Sequence, residues 1–290
     1  RLALANWIAS PENRLTARVL VNRIWQHHFG RGIVRSPNNF GLLGDAPTHP
    51  ELLDWLATTF VAQGWRMKPL HKLILMSNTY RMSSQGNAVA HTRDPLNQTF
   101  WRHDIRRLNA EEIRDSILAV SGVFNPKMYG PGVYPEISDE VKAGQSSPGS
   151  GWGTSTPEDQ VRRSIYVHVK RSLVLPILAD FDFADTDSSC AARFTTTQPT
   201  QALGMLNGKF LNDQAGALAR RLRHEAGDQV QAQARLAYRL ALGHEPDIAA
   251  VQRGIRLIEV LQSQHAQSAD QALNQFCLMI LNLNEFVYVD

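Results

Sequence analysis

Apolar residues recur at helical spacing along most of this chain. Between about Leu15 and Phe29 they fall at Leu20, Ile24 and His28, and again at Val21, Trp25 and Phe29. Positions three and four apart share one face of a helix, and Gly30 and Gly32 follow as stop signals. Leu2–Ala9 is a shorter apolar run that ends at Ser10-Pro11. Thr48-His49-Pro50-Glu51 has the spacing of a capping box, in which Thr48 and Glu51 exchange side-chain bonds with each other's amides. It predicts a helix with Leu52, Leu53, Leu56 and Phe60 as its buried stripe and a Schellman stop at Gly64, Trp65 folding back towards Phe60. A third helix starts near Pro69 and carries Leu70, Leu73 and Ile74. A fourth is capped by Asn109, with Glu112 three residues on, and ends at Gly122.

The pattern then changes. Residues 125–160 contain NPKMYGPGVYPEI and KAGQSSPGSGWGTSTPEDQ, the Gly, Ser and Pro chemistry of loops. Ser164–Lys170 alternates Ile165, Val167 and Val169 against Tyr166, His168 and Lys170, which predicts a strand. Helical spacing returns at Pro199, where Ala202, Leu203 and Leu206 begin a helix that either stops at Gly208 or runs on to Leu222. Further helices are expected over about 228–242 and 247–263. Ser268, with Gln271 three residues on, caps a last one carrying Leu273, Phe276, Cys277, Ile280 and Leu281. The expected fold is mainly α: a multi-helix globular domain with a small β element around 163–170 and a long irregular loop at 125–160. A chain of 290 residues suits one compact domain over 1–290. It also suits two docked helical halves, 1–124 and 161–290, joined by the 125–160 excursion.

Composition changes this picture little. With 43% apolar and 20% charged residues the chain reads as globular rather than disordered, and it holds no apolar run long enough to span a membrane. It begins at Arg1 with neither an initiator Met nor a signal peptide, so the expectation is a piece of a longer chain. Its net charge is +3, yet its cations comprise 24 Arg against 6 Lys. Arg is suited to forked bonds to carboxylates and carbonyls. These arginines are scattered among 27 acids, without the basic stripe that nucleic-acid binding requires. Cys190 and Cys277 lie in neither a C-x-x-C nor a C-x-x-C-H arrangement, so the chain carries no covalently attached haem motif and no cysteine-rich zinc motif. Whether they pair is left open by spacing alone. Cys277 falls on an apolar helix face, as a small core residue would.

Candidate chemistry is sparse. His27 and His28 are adjacent, so on a helix they face about 100° apart and cannot chelate one ion as an i, i+4 pair does. His28 lies on the apolar stripe and is accounted for by packing. His27 lies on the polar face, four residues after Arg23. Asp45 and His49 precede a helix start, where amides favour anions, and offer a carboxylate–imidazole pair for acid–base work. Arg23, His27, Asp45 and His49 are therefore the candidate catalytic group. Trp152 and Arg163 are candidate ligand-binding residues, Trp152 because it stands in the long irregular loop. Asp180, Asp182 and Asp185 form an oxygen-rich run that could hold calcium. The EF-hand spacing fails there, and helix capping or pairing with Arg193 or Arg171 accounts for the same acids. No G-x-S-x-G, P-loop or dinucleotide fingerprint is present.

Several segments in order resemble one family. They are LTARVLVNRIWQHHFGRGIV, FG followed by PTHPELLDWLA, SNTYRMSS, RRLNAEEIRDSIL, RRSIYVHVKRS, FDFAD, RFTTTQPTQALGMLN and LNLNEFVYVD. Together they look like the planctomycete-type C-terminal domain of unknown function found in multi-domain extracytoplasmic proteins with a cytochrome c-like domain. The resemblance implies export, haem c only in a separate domain, and the other domains of the full-length chain as partners. It further implies a redox or polysaccharide-processing assembly, with polysaccharide as a partner. The alternative reading is a non-catalytic scaffold or carbohydrate-binding domain that makes contact through the 125–160 loop and Trp152. The resemblance assigns no catalytic residue. The family's polar positions map onto Asn22, Arg23, His49, Glu51, Arg107, Glu111, Arg114, Asp115, Arg163, Asp182, Arg193, Gln201 and Asn284-Glu285, and arginine–carboxylate staples would explain many of them.

Overall fold

A computed structural model describes residues 1–289. The chain is mainly α and divides into two compact units, 1–106 and 107–289. The first unit holds α1 (Leu2–Ile8), α2 (Thr16–Phe29), α3 (Pro50–Ala62), α4 (Met67–Leu75) and α5 (Ala88–Arg93). Its core is the predicted stripe of α2 packed on α3 and α4: Val21, Ile24, Trp25 and Phe29 meet Leu53, Leu56, Phe60, Leu70 and Ile74. Each such side chain, once buried, contributes about 1.5–3 kcal/mol.

The stops of these helices form as predicted. Gly30 ends α2 at a left-handed φ of 77°, a conformation glycine adopts without steric cost. Trp65 N–H reaches back to Phe60 O at 3.1 Å, and the two rings meet edge to face at 5.3 Å. The start of α3 differs from the prediction. Its N-cap is His49, without a side-chain cap bond, because Thr48 is drawn elsewhere: its N–H donates to Ile33 O at 3.0 Å. Asn22 shows why α2 carries an amide in its buried face. Its Nδ2 donates to Val34 O and its Oδ1 accepts from Val34 N–H, at 3.0 and 2.8 Å. Gly32 lies so close that a Cβ there would stand 2.6 Å from that amide.

The second unit continues with α6 (Ala110–Ser121), α7 (Asp139–Ala143), α8 (Pro157–Gln160), α9 (Pro176–Asp180), α10 (Pro199–Asn207), α11 (Lys209–Ala226), α12 (Val230–Leu242), α13 (Ile248–His265), α14 (Ala269–Leu281) and α15 (Asn284–Val287). A two-stranded sheet pairs β1 (Arg106–Arg107) with β2 (Tyr288–Val289). α11 and α14 lie at its centre, with Leu218, Leu222, Leu273, Phe276, Cys277 and Ile280 buried between elements. α13 approaches α14 closely enough that a Cβ on Gly254 would come within 2.6 Å of the Phe276 ring. The predicted capping boxes of α6 and α14 are both complete. Cys190 and Cys277 are both free thiols, and burial pushes the Cys277 thiol up to about 12.

The β element is not where alternation placed it. Ser164–Tyr166 is a single 3-10 turn, and the only pairing of that stretch with the excursion is one parallel bridge, Val133 to Val167, among the described residues. Asp115 is the reason. Its Oδ1 accepts from both Ser164 N–H and Ser164 Oγ at 2.7 Å, which holds the backbone in a turn. Ile165 and Val169 are left 74% and 51% exposed, so the alternating residues bury no common face. The excursion 125–160 is irregular apart from α7 and α8, yet Val133 and Ile137 anchor it in the core. No helix among the described residues is long and apolar enough to cross a membrane.

Candidate functional site

The four residues proposed for catalysis all lie in the first unit, but no hydrogen bond, ion pair or ring contact joins any two of them among the described residues. Arg23 is bonded to the Asn38 side chain. His27 is exposed. Asp45 is exposed too, and its backbone N–H donates to Ser36 Oγ at 2.8 Å. His49 pairs with its neighbour Thr48 at 3.0 Å and leans on Phe100, ring centres 5.6 Å apart. His28 has a partner that its apolar register concealed. Its Nε2 lies 2.8 Å from His71 Nδ1, presented by α4, with Tyr80 edge-on to the His28 ring. Burial first, and then the neighbouring His71, His27 and Arg106, pull His28 below the usual imidazole range.

The second unit's arginines are structural clamps. Arg114, 1% exposed, donates to Gln160 O, Arg162 O and Ser164 Oγ at 2.6, 3.0 and 3.2 Å. Burial lowers its guanidinium to about 10, so it stays charged at neutral pH. Arg162 is equally buried and donates to Lys127 O and Tyr129 O, stacked over Tyr166 at 4.0 Å. Arg163 is half-exposed and approaches Asp115 at 3.9 Å. Arg193 forks onto Glu111, with Nη2 to Oε1 at 2.8 Å. Trp152 does not stand free as a contact residue. Its indole N–H donates to Pro135 O at 3.0 Å, and its ring packs on Tyr134 and His168, which ties the excursion to itself.

The acidic run separates into three tasks. Asp182 accepts from Arg107 Nη2 at 2.7 Å and from the Thr196 N–H and hydroxyl at 2.9 and 2.8 Å. Desolvation opposes its charge, but those bonds prevail and hold the carboxyl below its usual range. Asp185 accepts from Asp187 N–H and Ser188 Oγ. No three His, Cys, Asp or Glu are grouped to hold a metal ion among the described residues. Of the acids expected as calcium ligands, Asp182 and Asp185 are turned to separate local partners.

Asp180 is different. It ends α9 half-buried, and it makes no hydrogen bond or ion pair among the described residues. It lines a cavity of about 640 Å³ walled by Ile137, Val141, Val161, Leu175, Pro176, Ile177, Leu203, Phe210 and Leu211. Burial raises its carboxyl above the usual range. Two further features build the site. α10 and α11 are separated by Gly208, which opens a break in what would be one long helix. Gly204 in α10 leaves the space the carboxylate occupies, since a Cβ there would stand 2.3 Å from Asp180 Oδ2. Glycine inside a helix costs about 0.5–1 kcal/mol relative to alanine, so helix stability is given up where the acid is seated. At the rim Lys209 bonds Asp213 at 2.8 Å and lies 3.6 Å from Glu136. Arg114 backs the cavity with its donors directed to carbonyls.

A large, mostly apolar cleft with few convergent polar groups is the usual form of a small-molecule site, and a carboxyl desolvated in a cleft is a usual mark of function. In the sequence Asp180 stands only as one of a series of acids, and Gly204, Phe210 and Lys209 belong to no chemical motif. The available signal was Gly204 and Gly208 inside an otherwise helical pattern.

Compared with known proteins, residues 1–258 match the model of the family described as PSD1, protein of unknown function (DUF1553). No curated protein matches the chain, and no solved structure does. The match covers most of the chain, and the chain belongs to that family.

Proposed function

We propose that this DUF1553 member is a ligand-binding domain whose site is the Asp180 cavity. It binds a small molecule with an apolar body and one polar group directed at the Asp180 carboxyl. The observation that carries this reading is an unpartnered acid, seated over a helical glycine, in a cavity of about 640 Å³. A structural carboxylate would have been paired, as Asp182 is two residues later. The proposal extends to the setting that the resemblance implies: an exported, planctomycete-type multi-domain chain in which haem c belongs to a separate domain. The cavity would serve the cytochrome c-linked redox or polysaccharide-processing assembly of that chain by binding, and catalysis forms no part of the proposal. The predominantly apolar walls support a ligand with an apolar body over a bare saccharide, whose hydroxyls would meet few partners there.

Filling the cavity tests the reading. Leu203→Trp, on the lining but exposed enough to be tolerated, should abolish the thermal stabilisation given by an apolar probe such as 1-hexanol. It should leave unliganded stability within about 1 kcal/mol. An unchanged response in that variant would locate hexanol binding elsewhere and remove the proposal. The assembly is tested separately, by sugar-dependent haem reduction in the complete chain with and without the same substitution. Equal reduction would detach the cavity from that role.

A further inference from the structure

The balance of charge in the cavity is more specific than its size. Its walls and rim carry three carboxylates, Glu136, Asp180 and Asp213, against two cations. Both cations are already engaged. Lys209 bonds Asp213 and lies beside Glu136. Arg114 commits its two terminal nitrogens to the carbonyls of Gln160 and Arg162 and to Ser164 Oγ, and its buried Nε is left without a hydrogen bond. Asp180 is left with no compensating charge and no donor, against apolar side chains that exclude water from part of its surface.

A lone carboxylate in such surroundings discriminates by charge. An anionic head group would meet a like charge in a poorly screened space. A neutral hydroxyl would supply one hydrogen bond. An ammonium would supply the missing charge together with a charge-assisted bond, the stronger class. On the reading of this cavity as a ligand site, we propose that its ligand is a cationic amphiphile, a primary amine or alkylammonium carried on an apolar body. The ammonium bonds Asp180, and the hydrocarbon lies against Leu203, Phe210 and Ile177. The raised carboxyl fits this assignment, because a bound cation would restore the ionised form that burial disfavours.

Three probes of equal chain length separate the elements of the proposal: n-hexylamine, 1-hexanol and hexanoate, titrated calorimetrically into the 290-residue chain at pH 7.5. Hexylammonium should bind about tenfold tighter than hexanol, the size of one good charge-assisted bond, and hexanoate should be weakest. Asp180→Asn, which keeps shape and volume, should remove the preference for the amine and leave hexanol binding unchanged. Should that variant fold poorly, the parent protein supplies a second measurement. Hexylamine affinity should fall as pH is lowered through the Asp180 titration, and hexanol affinity should not. Hexanol and hexylamine binding equally in the parent, or an amine preference surviving Asp180→Asn, would overturn the cationic assignment and leave the cavity as a ligand site. Failure of both probes to bind would overturn the site itself.

Discussion

Asp180 and Asp182 stand two residues apart and have opposite fates. Asp182 is held by Arg107 and by the amide and hydroxyl of Thr196, and its carboxyl is lowered. Asp180 faces a cavity with no partner among the described residues, and its carboxyl is raised. The same contrast runs through the second unit. Arg107, Arg114 and Arg162, each almost fully buried, spend their donors on backbone carbonyls and neighbouring side chains. What they bind is irregular chain: the excursion 125–160 and the turn after α9 have few backbone bonds of their own, and buried carbonyls require donors. Arginine supplies several donors in one planar fork, which suits these three positions to Arg rather than Lys. Against Asp182, which is held by three bonds, Asp180 is an acid at a cavity wall with no hydrogen bond or ion pair among the described residues, which sets it apart from the acids that serve stability.

Breaking a clamp should have the largest effect. Arg114→Met keeps an unbranched apolar stem but strips three acceptors of their donor. Equilibrium unfolding in urea should show a loss of about 3–5 kcal/mol, comparable to breaking a buried ion pair. A loss below about 1 kcal/mol would mean that the carbonyls find water and that the clamp is incidental. Asp182→Asn should cost less, about 1.5–3 kcal/mol for charged hydrogen bonds weakened on a partly open acid.

Asp180→Asn should move in the opposite direction. A carboxyl raised above its unfolded value of 3.8 contributes stability below that pH and loses it as pH rises through the folded value. The ionised acid is therefore a liability at pH 7. The variant should melt slightly higher than the parent there, and the gain should vanish below pH 3.8. A lower melting point at pH 7 would show that Asp180 has a structural partner after all.

The His28–His71 pair in the first unit lies between the two cases, hydrogen-bonded but desolvated. A histidine held below its unfolded value of 6.5 contributes stability above that pH and loses it as pH falls through the folded value. Acidification from pH 7 to 5 should weaken the parent more than a His28→Gln variant, by a modest margin readable in denaturant midpoints. Equal slopes would dissociate the pair from acid sensitivity.

The longer helices and most of their ends were legible in the sequence because they are set within a few residues, whereas the short α5, α7, α8, α9 and α15 were not. The stripe of α2, the left-handed Gly30, the reach of Trp65 back to Phe60 and the boxes at Asn109 and Ser268 all depend on spacings of three to five. Where a distant residue competes, local reading fails. Thr48 was taken from its cap by Ile33, and the strand expected over Ser164–Lys170 became a turn because Asp115 captured Ser164. The candidate site failed to show for the same reason. Arg23, His27, Asp45 and His49 are close in sequence and make no common contact, whereas Asp180, Gly204 and Lys209 meet only once α9, α10 and α11 are folded. Periodicity and capping determined that the chain is mainly α and where most of its longer helices lie. Only the tertiary structure decided which acid would be paired and which left open, because a carboxylate's state depends on the donors and the solvent that folding brings to it.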